Sequence, residues 1–322
     1  MSPKKQEVKD GHMIACDSLG REVVFTAERA ARPHDFSKVR YIKTQNPQDC
    51  FFCPGNEAKT PPEIEHVPAG NGQKIAQGAA NRAYWKTRCF ENKFPSVRPQ
   101  WAHAYGYHEI MLETPRHDLS VSEIGLDSWV EFLKLASRRM AAHMKDPKIK
   151  YTIIFKNEGR DAGASLEHTH SQIVSLPFVP SQVKKYLKNH AKEIARNLKH
   201  QENLFYENSG FACLCPETSL FHYEAWVVPK KAIGGLDAMQ SWDIESLADA
   251  MLKTLARLDK ITTFAPYNIA YIMAPKGAKR FRMSVRIMPR LATWAGFEMG
   301  CGAVMNSILP DMAAKEYRET KQ

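Results

Sequence analysis

One pattern of secondary structure occurs twice along this chain of 322 residues and limits what it can fold into. In each half, strand-like segments lead into one long amphipathic helix, and further strand-like segments follow it. The first of these helices is predicted to begin at about Asp127, and the last covers apolar positions between 244 and 258. The repetition predicts an α+β fold, built by duplication, with antiparallel sheets and flanking helices. The pattern resets after residue 200, so we expect domains at 1–202 and 203–322.

Local signals give more specific expectations within this frame. Ser128 and Glu131 have the spacing of a capping box at the start of the first helix. A middle helix has an apolar side on which His190 is expected to be a packing residue. In the second half we expect strands at 221–228 and 281–288.

Composition and charge narrow the classes of function. Hydrophobic residues make up 43% of the chain and charged residues 25%, as is typical of a globular protein. The first ten residues predict no targeting peptide, and no apolar run is long enough to span a membrane, so we expect a cytoplasmic protein. The formal net charge of +10 favours an anionic partner. No basic run is interleaved with aromatic residues, so we expect phosphorylated small molecules and neither nucleic acid nor a membrane.

Cysteine usage points to a metal. Seven cysteines without a secretion signal are more typical of reduced thiols and metal ligands than of a disulfide framework. Cys50 and Cys53 form a Cys-x-x-Cys turn that can present two thiolates to one Zn²⁺, although such a pair could also be redox-active or merely buried. His117, where a strand runs into a turn, and His168 would complete a Cys₂His₂ set for a structural zinc. His108 could replace His117 if the strand register differs.

A second histidine, His170, follows His168 at a spacing that carries further chemistry. Residues i and i+2 of an extended strand point to the same face, so both rings are expected in one cleft. If a metal holds His168, the neutral ring of His170 is oriented to attack the α-phosphorus of a nucleotide. Neutral hydrogen bonds to the phosphoryl oxygens could come from Asn157, Ser165 and Gln172, and from backbone N–H groups of the turn at 163–165.

Four arginines are candidates for binding an anion. Arg29 and Arg32 lie beside a proline-stiffened turn, where they could bind a phosphate bidentately or could simply be solvated. Arg282 and Arg286 lie in a predicted strand of the second half, where they could bind an acceptor anion or form a solvated edge.

Several short motifs together carry a resemblance to a known family. They are Asp49-Cys50-Phe51-Phe52-Cys53-Pro54-Gly55-Asn56-Glu57, Thr60-Pro61-Pro62-Glu63, Glu91-Asn92-Lys93-Phe94-Pro95, Pro115-x-His117 and His168-x-His170-Ser171-Gln172. In this order they resemble the galactose-1-phosphate uridylyltransferase family of the histidine-triad superfamily, and the match resumes at 289–298. The Ser-Gln ending is more similar to the branch that includes ADP-glucose phosphorylase.

The resemblance implies two fused histidine-triad-like domains, a homodimer, and ping-pong transfer through a nucleotidyl-histidine. It implies that His170 is the nucleophile, assisted by Gln172 and Ser165. The implied ligands of a structural Zn²⁺ are Cys50, Cys53, His117 and His168. The expected contacts with nucleotide, phosphate or acceptor are Arg29, Arg32, Asn92, Asn157, Arg282, Arg286 and Glu298.

Two departures from the family pattern stand out. Thr169 occupies the place where the family often has proline, and Ser171 replaces a glycine. In the second half, Arg282, Ser284 and Arg286 stand where the family usually carries histidines, so the usual ligands of a second metal are missing there.

Three functions follow from these residues. The first is a nucleotidyltransferase that moves UMP or AMP between phosphorylated acceptors and most resembles a hexose-1-phosphate uridylyltransferase. The second is a nucleotide phosphorylase with phosphate as acceptor and ADP-glucose, a dinucleoside polyphosphate or adenylylsulfate as donor. The third is a zinc-stabilised nucleotide-binding protein without turnover, which the intact His170-Ser171-Gln172 sequence disfavours because binding alone needs no nucleophile.

Overall fold

The computed structural model describes residues 12–26, 43–70 and 83–321, and in these ranges one large sheet organises the protein. The strands are β1 His12–Cys16, β2 Glu22–Thr26, β3 Glu63–Pro68, β4 Trp85–Glu91, β5 Tyr107–Leu112, β6 Tyr151–Glu158, β7 His170–Leu176, β8 Leu204–Glu207, β9 Phe211–Leu214, β10 Ala225–Pro229, β11 Tyr267–Ile272, β12 Ser284–Pro289 and β13 Val304–Asn306. The α-helices are α1 Leu126–Lys145, α2 Ser181–Asn197, α3 Ser241–Thr262, α4 Gly296–Cys301 and α5 Pro310–Glu319.

The sheet contains two halves with the same strand order. Ten strands lie in the order β3-β4-β5-β7-β6-β11-β12-β10-β9-β8, and every neighbouring pair is antiparallel. Read from its outer edge, each half places its first three strands in sequence and then exchanges the last two. The halves meet where β6 pairs with β11. The predicted α+β class with antiparallel sheets is therefore confirmed, whereas the boundary at 202/203 stays a prediction.

The main core lies between the sheet and the two long helices that interrupt the halves. Helix α1 buries one face that includes Trp129, Phe132 and Met140, and α3 buries a face that includes Leu247 and Leu255. Both helices belong to one apolar cluster with side chains of the central strands. The helical periodicity read from the sequence is thus confirmed. Helix α2 packs on the opposite face, over the second half.

The first helix and both strands are present, but the expected helix cap and the expected starts of the two strands were wrong. Helix α1 begins after Gly125, whose φ of 80° ends the preceding segment, and Ser128 is buried inside the helix and not at its cap. The strand expected at 221–228 begins only at Ala225, because the carboxylate of Glu224 accepts backbone N–H groups of the preceding turn and closes it. The strand expected at 281–288 begins at Ser284.

A buried charged network joins α1 to β5. Burial alone would raise the pKa of Glu109, but hydrogen bonds from His143 and Arg139 outweigh it and lower that pKa to about 2. The second nitrogen of His143 lies 2.8 Å from the Ser175 hydroxyl, so the network continues into β7. Because the folded pKa lies below the unfolded value, the stability from ionised Glu109 is present at neutral pH and is lost as the pH falls towards 2.

We expect Arg139→Met to destabilise the protein by about 3 kcal/mol at neutral pH, because the buried carboxylate of Glu109 loses the guanidinium that pairs with it. The folded pKa of Glu109 should rise, so acid unfolding should begin at higher pH. Tryptophan fluorescence followed from pH 7 to pH 2 measures the midpoint. The control is Arg138→Met, which removes a neighbouring arginine whose side chain is 48% exposed. Equal midpoints for the two variants would contradict the role of the network.

None of the helices in the described ranges is both long enough and apolar enough to cross a membrane.

Candidate functional site

Four potential metal ligands converge at one buried point. One ligand atom from each of Cys50, Cys53, His117 and His168 lies within 4.8 Å of the others, and all four residues are buried. Cys53 Sγ is 3.4 Å from His117 Nδ1 and 3.5 Å from His168 Nδ1. The sequence therefore identified a set of residues that the fold brings together. We call it the Cys₂His₂ group.

The group is assembled from a turn and two strand ends. In the turn, the Cys53 N–H donates to the Cys50 carbonyl at 3.4 Å, and the Asn56 side chain donates to the same carbonyl at 2.8 Å. Gly55 follows with a φ of 92°, a conformation in which a Cβ would be strained. His117 lies beyond the end of β5, and His168 precedes the start of β7. The ligands thus approach from three separate segments.

The protonation of the group fits a bound cation. His168 Nε2 donates to the Thr114 carbonyl at 2.9 Å, so its lone pair is on Nδ1, the atom that faces Cys53. A hydrogen bond from Cys53 lowers the pKa of Cys50, and the pKa of Cys53 is raised by the same pairing and by burial. Two thiolates this close repel each other unless a cation lies between them. Two thiols and two imidazoles in a closed, buried arrangement are the donor set of a structural zinc site.

His108 belongs to a different set of contacts. Its Nδ1 accepts the Ser96 N–H at 3.0 Å, so the neutral ring carries its proton on Nε2, which donates to Gln172 Oε1 at 2.8 Å. Burial lowers the pKa of His108, which favours this neutral form. The structure thus places His117, and not His108, in the Cys₂His₂ group.

His170 is the first residue of β7 and is only 6% exposed. Its Nδ1 lies 2.8 Å from the His168 carbonyl, which can only accept, so Nδ1 carries the proton and the lone pair is on Nε2. Burial, together with the nearby Lys156 ammonium, lowers the pKa of His170 and keeps the ring neutral. The ring also packs edge-on against Phe52 of the cysteine turn, with centroids 5.2 Å apart. The two histidines are therefore held differently: His168 by the Cys₂His₂ group and His170 by a backbone carbonyl.

The polar residues expected around the nucleophile lie on the same, less covered side of the first half. Gln172 and Asn92 are both within 3.0 Å of His108 Nε2. Asn157 Oδ1 accepts from Asn268 Nδ2 at 2.9 Å, across the junction of the halves. Ser165 is exposed in the loop before His168. Their roles stay predictions, and Asn92, Asn157 and Gln172 are each only half-buried, so part of each residue reaches the surface.

The remaining predicted contacts are not brought to His170. Arg29 and Arg32 lie outside the described residues. Arg286 is 6% exposed, and its guanidinium lies between the rings of Tyr186 and Trp226. Its strand lies three strand positions from β7, or about 14 Å away.

Arg282 and Glu298 also contact their own surroundings. The Arg282 guanidinium donates to the backbone carbonyls of Lys230 and Lys231. The Glu298 carboxylate accepts the Ala295 N–H at the start of α4. The structure therefore does not unite these side chains with the nucleophile.

Sequence reasoning missed two buried charges behind His170. Lys156 of β6 and Glu113 are 1% and 0% exposed, and both lie on the face of the sheet that carries α1. The sequence did carry a signal for them. Lys156 follows Ile154 by two residues, and Glu113 follows Met111 by two residues, so each charged side chain is on the same inward-facing side of its strand as a buried apolar one.

Comparisons with known proteins decide the family. The profile described as "Galactose-1-phosphate uridyl transferase, N-terminal domain" matches residues 4–180. The chain belongs to this family. It is a nucleotidyltransferase of carbohydrate metabolism and consists of two fused histidine-triad-like halves.

Two enzymes are among the relatives that align with most of this chain. ADP-glucose phosphorylase from Arabidopsis thaliana is 29% identical, with 93% of this chain and 90% of that protein aligned. Galactose-1-phosphate uridylyltransferase from Thermotoga maritima is 26% identical over 72% of this chain and 84% of that protein. The solved structure of the Arabidopsis ADP-glucose phosphorylase with bound ADP-glucose covers 97% of this chain and all of that chain, with a TM-score of 0.81 and 26% identity.

We expect Cys53→Ala to release the metal, because a closed four-ligand site loses one thiolate. Bound metal should fall well below the roughly one ion per chain expected for the unaltered protein, and thermal stability should fall with it. Elemental analysis of protein purified without chelators measures the content. The control is Cys213→Ala, which removes a fully buried thiol outside the group and should lower stability without loss of metal. Equal metal content in both variants would refute the assignment.

Proposed function

We propose that this protein moves a nucleoside monophosphate from a nucleotide sugar to a phosphorylated acceptor through a covalent bond to His170. The observation that carries the proposal is the hydrogen bond from His170 Nδ1 to the His168 carbonyl. It leaves the lone pair on Nε2, and burial keeps the ring in the neutral form that a nucleophile requires.

The two half-reactions balance without an external base. In the first, His170 Nε2 forms a bond to the α-phosphorus, while the bond from phosphorus to the bridging oxygen breaks and the sugar phosphate leaves with the electron pair. In the second, an oxygen of the acceptor attacks the same phosphorus, and the N–P bond returns its electrons to Nε2. Nδ1 keeps its proton in the bond to His168 throughout.

Neutral hydrogen-bond donors would stabilise the charge that develops on the phosphoryl oxygens. Gln172 is the best placed, because its Oε1 accepts from His108 and its amide N–H groups are therefore available to a phosphate. Ser165, Asn157 and Asn92 are the further neutral candidates, and the positively charged Arg29 and Arg32 stay predicted contacts of the phosphates.

We propose Zn²⁺ as the metal of the Cys₂His₂ group. Its four protein ligands would leave no open position, so the ion would supply structure and not chemistry. It would fix the His168 ring, and with it the carbonyl that orients His170. The homodimer and the cytoplasmic location expected from the sequence stay predictions.

Two pairs of nucleotide donor and phosphate acceptor are candidates. The first reaction is transfer of UMP to a hexose 1-phosphate, as in the uridylyltransferases among the relatives. The second is phosphorolysis of an ADP-sugar, which is favoured by the alignment with ADP-glucose phosphorylase over 93% of the chain. Both share the intermediate on His170 and differ in the base and in the acceptor.

Intact-mass measurement after incubation with UDP-glucose or ADP-glucose should reveal an adduct whose mass identifies the base. His170→Asn should give no adduct and should lower turnover by about four orders of magnitude or more, because the nucleophile is lost. His103→Asn, which alters an exposed histidine, is the control and should behave like the unaltered protein. Binding of a nucleotide without any adduct would favour the non-catalytic alternative.

The acceptor can be identified from the isolated adduct. Phosphate should discharge it to a nucleoside diphosphate if the protein is a phosphorylase, whereas galactose 1-phosphate, which is not the sugar phosphate released in the first half-reaction, should discharge it to a nucleotide sugar if the protein is a uridylyltransferase. Chromatography of the released nucleotide separates the two products. An adduct that neither acceptor discharges would contradict both reactions.

A further inference from the structure

We propose that Lys156 and Glu113 are positioning residues that hold the backbone of His170 from the opposite face of the sheet. The inference rests on the proposed function, in which His170 is the nucleophile. Neither residue contacts the cleft, and both act through the segment 169–171.

Lys156 holds the segment from one side. Its Nζ donates to the His170 carbonyl at 3.0 Å and to the Thr169 hydroxyl at 2.5 Å. The backbone ladder between β6 and β7 ends at the pair of Lys156 and Ser171, so His170 has no partner on β6 within it. The ammonium thus supplies a hydrogen bond just beyond the last pair of the ladder.

Glu113 holds the same segment through two hydroxyls. Its Oε1 accepts from the Ser171 hydroxyl at 2.6 Å, and its Oε2 accepts from the Thr169 hydroxyl at 3.3 Å. Lys156 Nζ lies 3.3 Å from the Glu113 carboxylate and 3.2 Å from the Glu158 carboxylate. These two carboxylates compensate the positive charge of the lysine. The residues on both sides of the nucleophile are therefore fixed by one buried ion pair.

Thr169 and Ser171, the residues on either side of His170, are the ones whose hydroxyls contact the ion pair. A proline or a glycine there would offer no hydroxyl, and Glu113 would lose both of these hydrogen bonds. Glu113 would then keep only its contact with Lys156, and a buried carboxylate that loses hydrogen bonds is costly. The hydroxyls and the charges thus form one unit in this protein.

Burial of such a unit is weak evidence for stability, because desolvation offsets most of the attraction between the charges. Its location suggests another role. Attack on phosphorus needs His170 Nε2 close to the line of the breaking bond, and a displacement of about 1 Å can cost about a hundredfold in rate. Support from well-packed residues behind a site is the usual means of preventing such displacement.

Thr169→Val tests the proposal, because it keeps the shape of the side chain and removes the hydroxyl. We expect the maximal rate of adduct formation on His170 to fall about tenfold or more, while the half-saturating donor concentration stays within about twofold. Thr169→Ser restores the hydroxyl and should recover most of the rate. Rapid-quench measurements at several donor concentrations separate the two quantities.

Metal content and thermal stability are measured on the same samples. An unchanged maximal rate in Thr169→Val would overturn the proposal, as would a loss of metal that accounts for the slower rate. A failure of Thr169→Ser to recover the rate would also overturn it. If Thr169→Val does not fold, Ser171→Ala removes the other hydroxyl and should show the same selective loss. An unaltered protein that forms no adduct would instead refute the proposed function itself.

Discussion

The position of His168 is the constraint on which the rest of the site depends. Its ring faces two cysteines and a third ligand, and its carbonyl accepts a hydrogen bond from Nδ1 of His170. One residue therefore couples a closed ligand group to the orientation of a nucleophile. The same short segment is held from behind by Lys156 and Glu113. The imidazole of His170 is therefore held by groups on both faces of the sheet.

The two halves of the sheet have the same topology, but their equivalent strands β7 and β12 differ in whether a helix covers them. Ser284 begins β12 as His170 begins β7. In the second half, α2 covers that face: His190 Nε2 lies 3.1 Å from the Ser284 hydroxyl, and Arg286 donates to Tyr186. In the first half the corresponding face stays partly open at Gln172. A duplicated scaffold thus carries one candidate site in the part of the chain that the structure describes, because a helix has filled the other.

The Cys₂His₂ group was predictable because the Cys50-x-x-Cys53 turn already offers two thiolates, so a closed tetrahedral site needed only two further ligands. The helices were predictable because their apolar faces keep a strict period over 20 residues or more. The turn at 221–224 was not, because a single buried carboxylate, Glu224, closes it through tertiary placement. The sequence also could not show that Arg286 is buried, since both of its aromatic neighbours come from other elements.

The spacing of the ligands along the chain has a consequence for how the protein folds. Cys53 is separated by 64 residues from His117 and by 115 residues from His168. A metal that joins these residues would close loops of these lengths. Binding would be favourable only if it offsets the loss of chain entropy that closing them costs. Pairing of β5 with β7 brings the two histidines together, so the complete ligand set exists only once this long-range contact has formed. Complete coordination of a metal by the Cys₂His₂ group would therefore require the same strand pairing that places His170 at the start of β7.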